Sequence, residues 1–219
     1  RGVFAKRGWS SAIVNGESRI LAAEGKFLKC INTSDGSNCK DFGNNGYVEV
    51  CNESRINPIV HDDRVTLLGS SFCITSMDLT TGKVHYSKPL NKNNITNFGG
   101  SIWSNAAYYE GNESIIFGTA NAKPMFDGRS RPGDNNFSNS IVSVDLISGE
   151  INWNFQEISH DIWDLDTASP PIVAQINNDK LGLLDVVIAA TKLGNTLILN
   201  AQTGELLNDF KFVDSEKSL

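Results

Sequence analysis

An all-β chain assembled from repeated four-stranded sheets is the fold that the sequence predicts. Three observations predict it. Apolar residues show almost no helical period, one turn pattern recurs four times, and a β-type run accompanies each recurrence. The pattern is an apolar strand ending in Asp or Asn, with glycine four positions later. It appears as Cys30-Ile-Asn-Thr-Ser-Asp-Gly36, Ser76-Met-Asp-Leu-Thr-Thr-Gly82, Ser143-Val-Asp-Leu-Ile-Ser-Gly149 and Ile198-Leu-Asn-Ala-Gln-Thr-Gly204. The accompanying runs are residues 19–23, 64–69, 140–144 and 195–199.

Each turn has a physical reading. The Asx side chain accepts hydrogen bonds from backbone N–H groups two residues on, and glycine supplies the positive φ that closes the turn. Eight residues past the anchor stand Tyr86 and Trp153 in the middle repeats, where an aromatic ring packs flat between neighbouring sheets. The outer repeats have Lys40 and Asn208 there, so the pattern is degenerate. A four-stranded sheet recurring about every 45 to 70 residues reads as a β-propeller blade. A β-sandwich with four similar hairpins is the competing architecture. Four blades of a wider ring would leave two apolar blade faces bare. Residues 1–219 therefore read as one partial propeller domain, a fragment of a longer chain or a piece that pairs with another copy.

Composition bounds the function. The 19 basic and 25 acidic side chains leave a formal charge of -6, against a nucleic-acid partner, which calls for a basic face. The basic clusters Lys6-Arg7 and Arg129/Arg131 are too small for one. The longest apolar run, Leu181 to Ala190, contains Asp185 and falls short of the roughly 18 residues that span a bilayer. The sequence starts at Arg1 without a leader pattern, so an export signal is expected upstream or already removed. Cys30, Cys39, Cys51 and Cys73 lack zinc or CxxC spacing; they suit one or two disulfides in an oxidising compartment, with four buried thiols as the alternative. The sequons at Asn32, Asn52, Asn94, Asn112 and Asn136 carry little weight in an Asn-rich chain.

Unusual residues concentrate between Gly99 and Pro171. The run holds Gly99-Gly-Ser-Ile-Trp103, Gly118-Thr-Ala-Asn121, Arg131-Pro-Gly-Asp-Asn135 and His160-Asp-Ile-Trp-Asp164-Leu-Asp166; Lys192-Leu-Gly194 follows. Together with Arg1-Gly-Val and Cys39-Lys-Asp-Phe-Gly-Asn-Asn-Gly46, these motifs in this order resemble the pyrroloquinoline quinone (PQQ)-dependent dehydrogenases. Those are eight-bladed propellers, and the similarity is to the membrane-bound glucose and alcohol dehydrogenase branch. It spans the whole chain and about half of the family's propeller.

The resemblance implies a role for each matched residue. Trp103 matches the indole that floors the quinone, since planar π systems stack favourably. Asn121 matches an amide-oxygen ligand of the catalytic Ca²⁺, a hard cation that prefers oxygen. Asp164 matches the general base, which takes the hydroxyl proton while hydride moves to the quinone, and it also borders the metal. Asp166 matches an added metal ligand of lanthanide-using members. Calcium and magnesium types carry Asp there as well, so the metal stays open among Ca²⁺, Mg²⁺ and a lanthanide. Lys192 matches the cation that contacts the quinone oxygens. Ser71 matches a hydroxyl that contacts the cofactor carboxylates. Arg131 and its Pro-Gly turn read as structural, holding a long loop. Without the resemblance, Trp103 reads as a packing aromatic, Asn121 and Lys192 as turn residues, and Asp161, Asp164 and Asp166 as a solvated acidic turn.

Two departures stand out. The family's metal-binding glutamate should follow the Gly-Ser-Ser segment, but no Glu lies between Ser71 and Ser76. Losing a carboxylate weakens a divalent site. The vicinal cysteine pair of many members is also missing. Two functions follow. One is a periplasmic or exported PQQ dehydrogenase, membrane-associated only through parts outside this chain, that oxidises an alcohol or aldose and passes electrons to a quinone or cytochrome. The other is a non-catalytic propeller scaffold for protein contacts. The 219-residue piece by itself is expected to be inactive.

Overall fold

The computed structural model describes residues 8–91, 100–178 and 182–212. The Arg1-Gly-Val motif, the Lys6-Arg7 pair, Asn94 and Gly99 lie outside the described residues. Among the described residues sixteen strands form four antiparallel sheets, each with its four strands in chain order. The first sheet is β1 (Trp9–Val14), β2 (Glu17–Glu24), β3 (Phe27–Asn32) and β4 (Tyr47–Glu49). The second is β5 (Ile59–His61), β6 (Arg64–Gly69), β7 (Cys73–Asp78) and β8 (Val84–Pro89). The third is β9 (Ala107–Tyr109), β10 (Ser114–Gly118), β11 (Ser140–Asp145) and β12 (Ile151–Gln156). The fourth is β13 (Ile172–Asn178), β14 (Gly182–Ala190), β15 (Asn195–Asn200) and β16 (Leu206–Lys211). Among the described residues the sole helical element is a 3-10 turn at Glu110–Asn112.

The chain divides into two compact units, Arg1–Ile95 and Thr96–Leu219. Each unit holds two sheets, and within a unit the first strands are neighbours: β1 with β5, β9 with β13. In the first unit Val14, Leu21, Leu28 and Val48 pack with Val65, Leu67 and Met77 into a core between its sheets. In the second, Ile116, Ile141 and Trp153 pack with Val187, Leu197 and Leu199. The strands β6, β7, β10 and β11 are buried almost continuously, so small polar residues such as Thr66, Thr75, Ser76 and Ser143 are buried along with the apolar ones.

The recurring turn is one local structure built four times. It always follows the third strand, and the glycine N–H always returns to the carbonyl of the Asx residue: Gly36 to Asn32 at 3.0 Å, Gly82 to Asp78 at 2.9 Å, Gly149 to Asp145 and Gly204 to Asn200 at 2.8 Å. All four glycines have positive φ, between 67° and 75°. Asp145 Oδ1 accepts from Ile147 N and Ser148 N, Asn200 Oδ1 from Gln202 N and Thr203 N, and Asp78 Oδ1 from Thr81 N. These bonds favour the charged form of Asp78 and lower its pKa, the Thr81 hydroxyl contributing most. A register shift lies two residues before the anchor in the last three sheets, at Ser76/Met77, Ser143/Val144 and Ile198/Leu199.

Three details differ from the sequence reading. Runs 19–23 and 64–69 are second strands, whereas 140–144 and 195–199 are the third strands themselves. The true counterparts of β2 and β6 are β10 and β14. In the first repeat Asn32 does not cap; Asp35 Oδ1 takes the bond from Ser37 N instead. There the Cys30–Cys39 disulfide staples β3 to the chain that returns after the turn. A second disulfide, Cys51–Cys73, joins the segment before β5 to β7, so all four cysteines are paired. Closing loops of this size stabilises by about 3 kcal/mol each in chain-entropy terms.

Sheets dock through the turn glycines. In the second unit the Trp153 ring lies against Gly204, where an added Cβ would meet the indole at 2.5 Å, and Trp153 Nε1 donates to Ala201 O at 3.0 Å. In the first unit Phe42 and Val48 press on Gly82 in the same way, doing the work that the sequence pattern had assigned to position 40. Gly36 faces open space. Gly204→Ala should therefore cost about 3 kcal/mol, overpacking added to a left-handed backbone, whereas Gly36→Ala should cost about 1 kcal/mol. Urea unfolding of the two variants measures the difference.

Candidate functional site

Strand-end segments of the second unit carry five of the six predicted site residues. Trp103 lies in the segment before β9. Asn121 follows β10 by three residues, Asp164 and Asp166 lie between β12 and β13, and Lys192 occupies the β14–β15 turn. Asn121 and Lys192 thus share one topological place, the connection from second to third strand. Ser71 holds that place in the second sheet, between β6 and β7. It belongs to the first unit, where its hydroxyl contacts Cys73 Sγ at 3.8 Å.

The five residues meet around the carboxylate of Asp166, which is 7% exposed. Its Oδ2 accepts from Trp103 Nε1 at 3.0 Å, and its Oδ1 accepts from the backbone N–H of Asn121 at 2.8 Å. Lys192 Nζ lies 3.6 Å from Asp166 Oδ2 and 3.4 Å from Asp164 Oδ2, and donates to Asp164 O at 2.8 Å. Asp164 holds the left-handed backbone at φ 62°, a conformation that aspartate tolerates better than most residues. The Asn121 side chain is 1% exposed, yet neither its Oδ1 nor its Nδ2 has a partner among the described residues. A buried amide left unpaired costs about 1–3 kcal/mol.

A second layer of bonds holds these segments. Asp161 is buried, not solvated: its carboxylate accepts from Trp163 N at 2.7 Å, Leu165 N at 2.8 Å and Asn139 Nδ2 at 2.9 Å. Arg131 is fully buried and donates to Pro124 O, Met125 O, Asn135 Oδ1 and Asp161 O. It ties the loop of 124–135 to the segment of 160–166. Two glycines allow close approach. A Cβ on Gly118 would meet Thr167 O at 2.4 Å, and one on Gly128 would meet His160 Nε2 at 2.2 Å. Sequence reasoning singled out neither Asn139 nor Glu157, which bonds the Lys192 turn. Their partners lie more than twenty residues away, and no local pattern marks them.

Comparison with known proteins places this arrangement. The fold is that of β-propeller blades: a europium-containing methanol dehydrogenase superposes with a TM-score of 0.74 at 17% identity, over 93% of this chain and 41% of that one. Residues 78–215 match the model of the PQQ family described as glucose/ethanol/alcohol dehydrogenase, β-propeller domain, and the chain belongs to that family. Quinoprotein glucose dehydrogenase of Escherichia coli strain K12 is 24% identical over 86% of this chain and 27% of its own length. Quinoprotein alcohol dehydrogenase PedH of Pseudomonas putida is 35% identical over 53% of this chain and 19% of its own. The chain thus spans about a quarter of the length of such relatives.

Arg131→Met should lower stability by about 3 kcal/mol or more, because it strands several buried acceptors at once. Arg129→Met removes only an exposed pair with Asp127 and should leave the unfolding midpoint unchanged. Chemical denaturation of both variants checks the contrast.

Proposed function

We propose that this chain is part of a PQQ-dependent dehydrogenase that oxidises an alcohol or an aldose sugar, with Asp164 as general base. The observation that carries the reading is the meeting of Trp103, Asn121, Asp164, Asp166 and Lys192 within the second unit. Packing alone gives no reason to gather an indole, an orphaned amide, two carboxylates and an ammonium at strand ends.

The residues fit the implied groups. The unpaired, buried Asn121 Oδ1 is a neutral oxygen donor of the kind that Ca²⁺, Mg²⁺ or a lanthanide takes. Asp164, with a third of its side chain exposed, adds a charged oxygen beside it in this reading, and Asp166 another. When bound, PQQ with its metal supplies an electrophilic quinone carbonyl that accepts the hydride equivalent. The chain's own residues do the rest. Trp103 presents a flat indole face, fixed in orientation by its bond to Asp166. Asp164 removes the substrate hydroxyl proton at a carboxylate oxygen. Lys192 brings positive charge to the cofactor oxygens as they gain electron density. For Ser71, in the first unit, the family resemblance gives the role of a hydroxyl contact to the cofactor carboxylates.

Residues 1–219 are then one partial propeller domain of a longer protein whose remaining blades, or a second copy, complete the ring; the piece alone has no turnover. The disulfides support a periplasmic or exported location, with any membrane attachment through other parts of the protein. A quinone or cytochrome takes the electrons. One feature favours the alternative, a non-catalytic scaffold: the absence of glutamate between Ser71 and Ser76.

The test is dye-linked oxidation of a panel of alcohols and aldoses by the full-length protein, loaded with PQQ and with Ca²⁺ or a lanthanide. Turnover is expected, and Asp164→Asn should lower kcat by about 10²–10⁴-fold. No dye reduction with any substrate would leave the scaffold reading standing.

A further inference from the structure

Beside the turn that carries Lys192 lies a carboxylate with no role in the reading above. Glu157 follows β12, and its N–H bonds Asn139 O at 3.0 Å, which extends the β11–β12 ladder by one residue. Its Oε1 accepts from Thr191 Oγ1 at 2.9 Å and from Asn195 Nδ2 at 2.9 Å. These two residues close the β14–β15 turn. Thr191 N donates to Asn195 O at 2.9 Å, and Gly194 N donates to Thr191 O at 3.1 Å. Lys192 sits inside that turn and points its ammonium at the Asp164 carbonyl. Glu157 Oε2 is buried and has no hydrogen-bond partner among the described residues. Burial pushes the Glu157 carboxyl pKa up, against the pull of its two donors.

Such a group is an expensive way merely to fill space, because burying a carboxylate oxygen without a partner costs free energy. Its geometry has a more specific use. Lysine carries its charge on a flexible four-carbon stem, so the ammonium is fixed only as well as the backbone beneath it. With one oxygen Glu157 grips the side chains of Thr191 and Asn195, the two residues that flank Lys192 and close its turn. It is itself anchored in the third sheet, from whose end the chain continues directly to Asp161 and Asp164.

We propose that Glu157 is a positioning residue, which clamps the Thr191–Asn195 turn so that the Lys192 ammonium is held against the Asp164–Asp166 segment. The functional meaning of the clamp rests on the cofactor reading of Lys192; the clamp itself is testable without cofactor. Hydrogen–deuterium exchange of peptides covering 188–196 and acylation of Lys192 by an N-hydroxysuccinimide ester are compared in wild type, Glu157→Gln and Glu157→Ala. In Glu157→Ala, exchange in the turn and Lys192 acylation should both rise by about tenfold or more, while the β11 and β12 amides stay protected. Glu157→Gln keeps the acceptor oxygen and should stay within about threefold of wild type. A merely structural role would loosen β11, β12 and the turn together. If the Ala variant does not fold, Asn195→Asp sets a second carboxylate against Glu157 and should free the turn in the same way. Wild-type exchange and acylation in Glu157→Ala, or a Gln variant as loose as the Ala variant, overturns the proposal. PQQ titration of Lys192→Met in the full-length protein probes the cofactor reading by itself, so the two failures are distinguishable.

Discussion

The carboxylate of Asp166 joins three stretches of chain that are remote in sequence. One oxygen receives the Trp103 indole and the other the Asn121 backbone, with Lys192 within ion-pair reach. A charge so deeply placed is stable only when its lone pairs are engaged, and here both oxygens are. The same bonds orient an aromatic face, a strand end and a cation relative to one another. Beside that carboxylate the Asn121 amide is buried, with neither of its polar atoms bonded among the described residues.

Much of this was legible in the sequence because it is local. The Asx-to-glycine turn closes with bonds spanning two to four residues, so five letters suffice to specify it, and all four instances formed. Where the sequence misled, a local cue had been displaced. Asn32 has the right identity, but Asp35 offers a competing side-chain oxygen. Second and third strands are both short β-type runs, so second strands were aligned with third strands. The packing against Gly82 fell to Phe42 and Val48, not to position 40, which holds a lysine.

The site was legible in a different way. The identities of Trp103, Asn121, Asp164 and Lys192 came from motif order, and their gathering could come only from the fold. What supports them was not legible. Asn139 and Glu157 act across tens of residues through single hydrogen bonds, and neither sits in a spacing that implies chemistry. Arg131 was read as a loop support, and its four acceptors show how one guanidinium fixes an otherwise irregular segment.

Sulfur is distributed unevenly along the chain. Both cystines fall in Arg1–Ile95, and no cysteine occurs in Thr96–Leu219, which houses the Asp166 cluster. A thiol reductant therefore has two bonds to cut in one unit and none in the other. Production in a reducing cytosol would handicap the amino-terminal half, while the half that gathers the polar groups has no disulfide to form.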